Sequence, residues 1–172
     1  MKNFIGRAEE LRKLQDLATI KKAHIVVIKG RRRVGKSRLA KEFANDKRLL
    51  EFTGLAPTEE LDAQEQRNAF SGQLVQQLKL PLANFMDWSS AFNYLSHQLT
   101  NDPTVILFDE ISWMGAKDPT FIPKLKAWWD LDLQNRSNIT LIFCGSISTW
   151  IEKNILNSTA FFGRISMTID LQ

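Results

Sequence analysis

Ile25-Val26-Val27-Ile28-Lys29-Gly30-Arg31-Arg32-Arg33-Val34-Gly35-Lys36-Ser37-Arg38-Leu39 decides the fold of this chain. Four β-branched apolar residues run into a glycine, a basic loop follows, and a second glycine opens onto Lys36-Ser37. Residues 30–37 fit G-x-x-x-x-G-K-[ST] at every fixed position, a string that is informative only between a strand and a helix. Both flanks are present. Ile25–Ile28 reads as a buried strand, and Leu39, Ala40 and Phe43 fall at helical spacing. The glycines let the backbone curl so that successive N–H groups point inward as an anion nest, and the helix adds its positive N-terminal end. Lys36 then reaches the β- and γ-phosphates, and the Ser37 hydroxyl joins the coordination shell of Mg²⁺. A nucleoside triphosphate with magnesium is the implied ligand, held by Gly30, Arg31, Arg32, Arg33, Val34, Gly35, Lys36, Ser37 and Arg38.

Outward from this loop, the pattern repeats. Val105–Phe108 and Leu141–Cys144 are further short apolar runs bounded by polar residues or glycine, as expected of strands buried on both faces. Helical spacings lie between them: Phe70, Leu74, Val75 and Leu78; then Ala91, Phe92, Leu95 and Leu99; then Leu125, Trp128 and Trp129 in a helix starting near Pro119–Pro123. Trp128 and Trp129 cannot both face one way on a helix, which leaves one of them for an interface. Leu49–Leu55 is a weaker strand, and Met167, Ile169 and Leu171 alternate with polar residues at the end. Strands alternating with helices give parallel crossovers, hence a three-layer α/β domain.

Val105-Ile106-Leu107-Phe108-Asp109-Glu110 supplies the second half of the site, because four apolar residues carry a buried strand to the sheet edge, where two carboxylates emerge. Asp109 would hold Mg²⁺ with Ser37. Glu110 is placed to orient or deprotonate the attacking water, which hydrolysis needs and simple binding does not. Ser146, after Leu141–Gly145, has two readings: a hydroxyl for the γ-phosphate or its water, and a cap for the helix that follows.

The chain has 172 residues, 44% hydrophobic and 24% charged, which excludes disordered and collagen-like classes. One cysteine, Cys144, cannot form an internal disulfide and reads as a strand filler in a reducing compartment. Apolar runs of four residues are far short of a membrane span, and the N-terminus lacks a secretory pattern, so a cytoplasmic protein with no membrane contact is expected. His24 and His97 have no partner pattern and read as structural; no Cys/His cluster offers a zinc site. The net charge of +4 has one source. Lys29, Arg31, Arg32, Arg33, Lys36 and Arg38 lie in a stretch without acids, and outside it 17 basic residues face 19 acidic ones. A nucleic-acid surface is therefore not indicated; DNA contact would fall to regions outside this chain.

These residues resemble the archaeal-type ATPases, found also in bacteria, within the AAA+ and STAND group of P-loop NTPases. The carriers are Phe4-Ile5-Gly6-Arg7 with Glu9-Glu10-Leu11, the arginine-rich loop of residues 30–37, Asp109-Glu110, Gly145-Ser146 and Phe162-Gly163-Arg164, in the family's order. The resemblance covers essentially the whole chain. It implies a sheet of order 5-1-4-3-2, adenine flanked by Phe4, Ile5, Gly6 and Arg7, Ser146 as the sensor on the fourth strand, and Arg164 as a γ-phosphate sensor in cis or across a subunit contact in a homo-oligomer. Family members continue into a helical lid and a winged helix. Residues 1–172 are accordingly expected to be the P-loop core of a longer protein.

The expected function is Mg²⁺-dependent binding and hydrolysis of ATP, coupled to rearrangement of attached domains. ATP is preferred over GTP because no Asn/Thr-Lys-x-Asp string occurs. The alternatives are a nucleotide-operated signalling switch without enzymatic turnover and, further off, a small P-loop kinase. Without a lid or a second subunit's arginine, the purified monomer should bind nucleotide weakly and turn over slowly; rapid phosphate release in a steady-state assay would contradict this.

Overall fold

The computed structural model describes residues 6–172, apart from the side chain of Ser148. Five parallel strands form one sheet: β1 (His24–Gly30), β2 (Arg48–Thr53), β3 (Thr104–Asp109), β4 (Ile139–Gly145) and β5 (Met167–Leu171). Their order is β2-β3-β4-β1-β5, the expected 5-1-4-3-2 read from the other edge. The helices are α1 (Ala8–Ala18), α2 (Lys36–Phe43), α3 (Ala63–Leu78), α4 (Trp88–Ser96), α5 (Ile111–Met114), α6 (Phe121–Leu131) and α7 (Ser148–Ile151), with a π-helical turn, Glu152–Leu156, after α7.

Alternation along the strands sorts the core into two layers. Val26, Ile28, Val105, Leu107, Ile142 and Cys144 face α1 and α2, where Leu14, Leu39, Ala40 and Phe43 cover them. Ile25, Val27, Phe52, Ile106, Phe108, Leu141 and Phe143 face the other way, onto α3 to α6. That second layer is aromatic: Phe52 stacks on Phe70 at 4.3 Å between centroids, and Trp128 stacks on Phe92 at 4.6 Å. Offset stacks of this kind add about 0.5–1.5 kcal/mol per pair to the burial itself.

Three expectations change. α1 forms in a region where the sequence pattern predicts no helix; Leu11, Leu14 and Leu17 are its apolar stripe, and only Leu14 is fully covered. Leu99 lies past the end of α4. Trp128 and Trp129 are both buried, so neither is left for an interface. α6 makes this possible by burying two sides: Trp128 meets α4, donating its Nε1–H to Ser96 Oγ at 2.7 Å, while Trp129 lies beside Ala23 and residues 163–166.

β2 is an edge strand, and α3 closes that edge with glutamine amides. Gln77 accepts from Glu51 N at 2.8 Å and donates to Glu51 O at 2.7 Å. Gln73 does the same with Thr53 at 2.7 and 3.0 Å, and Gln66 with Leu55 at 2.9 and 2.8 Å. Each amide substitutes for one residue of a neighbouring strand, which removes the open row of donors and acceptors that would invite pairing with another chain. Gln73→Ala deletes two of these bonds and should cost about 1–2 kcal/mol, lowering Tm by about 2–8 °C in a chain of this size. Gln73→Glu, which keeps the acceptor but lacks the donor, should also lower it. Unchanged melting of both variants would show that the edge needs no such cover.

Candidate functional site

The parallel sheet puts the ends of β1, β3 and β4 along one edge, and the residues after them form the site. Gly30 ends β1 with φ +150°, and a Cβ there would lie 2.4 Å from Leu171 O on β5. Only glycine lets the chain leave the sheet at this point. Arg33 and Gly35 continue with positive φ, 66° and 101°, which turns the loop onto the N-terminus of α2. Arg33 is a non-glycine in a sparsely populated region, the kind of cost that persists when the surroundings fix it. Lys36, 5% exposed, folds back over the loop and donates from Nζ to Gly30 O at 2.9 Å and Arg31 O at 2.6 Å. Its ammonium is thereby held at the loop's centre.

Asp109 ends β3 and accepts from Glu110 N at 3.0 Å. Burial raises its pKa, and the adjacent Glu110 raises it further, against a smaller opposing pull from Lys36. Glu110 has φ +51°, left-handed for a residue with a side chain. Gly54, just past β2, holds this turn from below: its N donates to Asp109 O at 3.2 Å, and a Cβ there would crowd Met114 N, Trp113 Cβ and Glu110 O at 2.7–2.9 Å. Ser146 follows β4 and donates its hydroxyl to the Glu110 carboxylate at 3.2 Å. The fold thus brings Lys36, Asp109, Glu110 and Ser146 to one edge.

A cleft of about 570 Å³ adjoins the loop, lined by Gly30, Arg31, Arg32, Val34, Asp170 and Gln172 among others. Arg7 borders it, donating to Val34 O at 3.4 Å and Gln172 O at 2.9 Å. Gly6 precedes it with φ +95°, whereas Phe4 and Ile5 lie outside the described residues. Ser37 and Arg38 open α2 behind the loop.

Arg164 is not brought to this edge. β5 runs parallel to β1 with Val26 opposite Met167 and Gly30 opposite Leu171. Arg164 precedes β5, so it lies beyond the far end of a strand that spans about 13 Å. There it pairs with Asp130 of α6 through two contacts, 2.7 and 3.0 Å, and this bond holds the Asp130 carboxyl below its usual range. A γ-phosphate role in cis is corrected to a tie between residues 158–166 and α6. His24 is structural as expected, with Nδ1 2.9 Å from Ser166 Oγ and Nε2 2.9 Å from Ile20 O. Cys144 is fully buried, and burial pushes its thiol well above the usual range, which keeps it an unreactive strand filler.

Gly54 and the glutamines of α3 had no part in the sequence reading. The only hint of Gly54 was a glycine after the weaker strand, and nothing in periodicity marks a side chain that bonds to backbone.

Sheet order, loop and carboxylate pair together define a P-loop nucleotide-binding domain. The family of ATPase domains found predominantly in Archaea matches residues 4–171, and the chain belongs to it. An uncharacterized protein of Methanocaldococcus jannaschii is 24% identical over 161 residues, 94% of this chain and 34% of that protein. Solved structures share the fold. The ORC2 protein of Aeropyrum pernix, in ADPNP–ADP complexes, aligns with TM-score 0.66 and 15% identity, over 99% of this chain and 48% of its own. A Walker-type ATPase of Pyrococcus abyssi gives 0.65 and 18%, over 98% and 53%, and the CDC6P protein of Pyrobaculum aerophilum 0.67 and 14%, over 99% and 46%. The chain therefore spans about a third to a half of the proteins it resembles. No helix among the described residues is long and apolar enough to cross a membrane.

The raised pKa of Asp109 has a stability consequence. A carboxyl whose folded pKa exceeds its unfolded value favours the fold below the unfolded pKa, and that contribution is lost as pH rises through the folded value. Asp109→Asn keeps the acceptor for Glu110 N and removes the charge. Its Tm at pH 7–8 should rise, and the gain should shrink as pH falls through the carboxylate range. A lower Tm at pH 7–8 would contradict the repulsion drawn from Glu110 and burial.

Proposed function

We propose that this chain is the nucleotide-binding core of a cytoplasmic Mg²⁺-dependent ATPase that couples ATP binding and hydrolysis to rearrangement of attached domains, a lid and a winged helix among them. The observation that carries the reading is the Glu110–Ser146 contact, which sets a carboxylate and a hydroxyl at the edge where the phosphate loop emerges. A triphosphate on the loop would take donors from the backbone N–H groups of residues 31–36 and from Lys36 Nζ, with the N-terminus of α2 behind them. The ADPNP–ADP complexes of the Aeropyrum pernix relative support an adenine nucleotide as ligand. The cleft beside Arg7 is the side on which adenine would lie.

The residues fit Mg²⁺. This ion binds proteins through one or two oxygen ligands and keeps waters and phosphate oxygens for the rest, which matches Ser37 and Asp109. No group of three or more His, Cys, Asp or Glu gathers among the described residues, so a cage made of protein alone is not on offer. A cation would also relieve the repulsion between Asp109 and Glu110. Held by Ser37 and Asp109, Mg²⁺ would supply positive charge that offsets the charge of the phosphates. Glu110 orients the water and accepts its proton; Ser146 holds the carboxylate in place and offers its hydroxyl to the same water or to a γ-phosphate oxygen.

The same contact favours a second reading. A carboxylate already engaged by Ser146 is restrained from water, as a nucleotide-operated switch with negligible turnover would require. Glu110→Gln separates the two. In an ATPase it should leave MgATP affinity within about threefold while lowering the single-turnover rate about 10²–10⁴-fold, the usual worth of a general base. An unchanged rate of nucleotide loss would support the switch and sink the ATPase.

A further inference from the structure

The cations around the site are engaged in different ways. Lys36 bonds to loop carbonyls, Lys29 pairs with Glu152 and Asp170, and Arg7 pairs with Glu10. Arg32 is different. It is exposed at the head of the loop, and its guanidinium carbon lies 5.4 Å from the centroid of the Trp113 ring. Among the described residues it makes no ion pair and no hydrogen bond.

Trp113 belongs to α5, the turn that begins at Glu110, and its N–H donates to Glu110 O at 2.9 Å. The stack therefore carries an arginine from the loop after β1, past the end of β4, to the turn after β3. Lys36 closes the loop at one end of that span, and Glu110, bonded to Ser146, precedes Trp113 at the other. A γ-phosphoryl group reached by Lys36 and attacked by water on Glu110 has to lie along it.

A cation–π contact suits this task. The ring quadrupole attracts the guanidinium without taking up a hydrogen bond to another group, so its five N–H donors stay available. They form the planar fork that meets two phosphate oxygens at once, and a cation already held in place needs no reorganisation when charge develops. Arg31 and Arg33 have no comparable anchor directed toward Glu110 among the described residues.

We propose that Arg32, held on Trp113, is the arginine that stabilises the transferring phosphoryl group, supplied in cis from the phosphate loop itself. The proposal rests on the reading of this site as an ATPase. In that step the water oxygen bonds to the γ-phosphorus and the bond to the β,γ-bridging oxygen breaks. ADP leaves with that electron pair, and the water's proton goes to Glu110. Arg32 stays protonated throughout and balances charge on the equatorial oxygens.

The test compares the chain with Arg32→Ala, Arg32→Lys and Trp113→Leu in single-turnover hydrolysis of MgATP and in equilibrium binding of MgADP with and without aluminium fluoride. Arg32→Ala should slow turnover about 10³-fold, the lower end for such an arginine, well beyond any loss of MgADP affinity, and abolish the tightening by aluminium fluoride. Arg32→Lys should recover little, because an ammonium lacks the fork. Trp113→Leu should fall between the chain and Arg32→Ala. Turnover and aluminium fluoride tightening in Arg32→Ala equal to those of the unsubstituted chain would overturn the proposal, as would a loss of MgADP affinity that accounts for the whole loss of rate. If the unsubstituted chain itself neither hydrolyses ATP nor tightens with aluminium fluoride, the ATPase reading fails and this inference with it; if only the variant comparison fails, the ATPase reading stands.

Discussion

The approach of Leu171 O to Gly30 fixes where the central strand β1 ends. A Cβ at Gly30 would sit 2.4 Å from that carbonyl, so the pairing of β5 on β1 and the departure of the phosphate loop are one geometric condition. Once β1 ends there, the parallel register brings the exits of β3 and β4 to the same edge, with Asp109 and Ser146 within reach of the loop. The apolar layers on either side hold the register, because a slip by one residue would turn every strand's core set to the wrong layer.

That edge carries the costs of its chemistry. Glu110 adopts a left-handed backbone, Arg33 does likewise, and Asp109 sits where burial and the adjacent Glu110 disfavour its charge. Each feature weakens the fold locally and is held by its surroundings: Gly54 seats the turn below Glu110, and Ser146 bonds the carboxylate from above. The glutamine ladder adds a longer-range support, since α3 fixes Thr53 and Leu55 on either side of Gly54. Strain and repulsion gathered at one sheet edge, with rigid layers behind it, are the usual signature of a binding or catalytic centre.

The loop and the Asp-Glu pair were legible because phosphate chemistry demands fixed residue types at fixed spacing, and the strands were legible because burial on both faces leaves unbroken apolar runs. The sheet order came from resemblance and holds. The cis role expected of Arg164 fails because chain order says nothing about which edge a residue occupies. In a parallel sheet, a residue just before a strand lies at the edge opposite to one just after a strand, and that topological rule was already available. Trp128 and Trp129 misled because a helix was assumed to bury one side, whereas α6 is covered both by α4 and by residues 163–166. The glutamines of α3 left no periodic trace, since amides bonded to backbone look like an ordinary polar face.

A structure of the chain with a non-hydrolysable ATP analogue and Mg²⁺ decides whether this edge is the nucleotide site. The triphosphate should lie over the backbone of residues 31–36, with Lys36 Nζ moved from Gly30 O and Arg31 O onto phosphate oxygens and the metal held by Ser37 and Asp109. A second concavity, about 550 Å³, lies at the opposite edge of the sheet beside Lys21, Lys22 and Asn138. Nucleotide bound there, with the loop unengaged, would contradict the account.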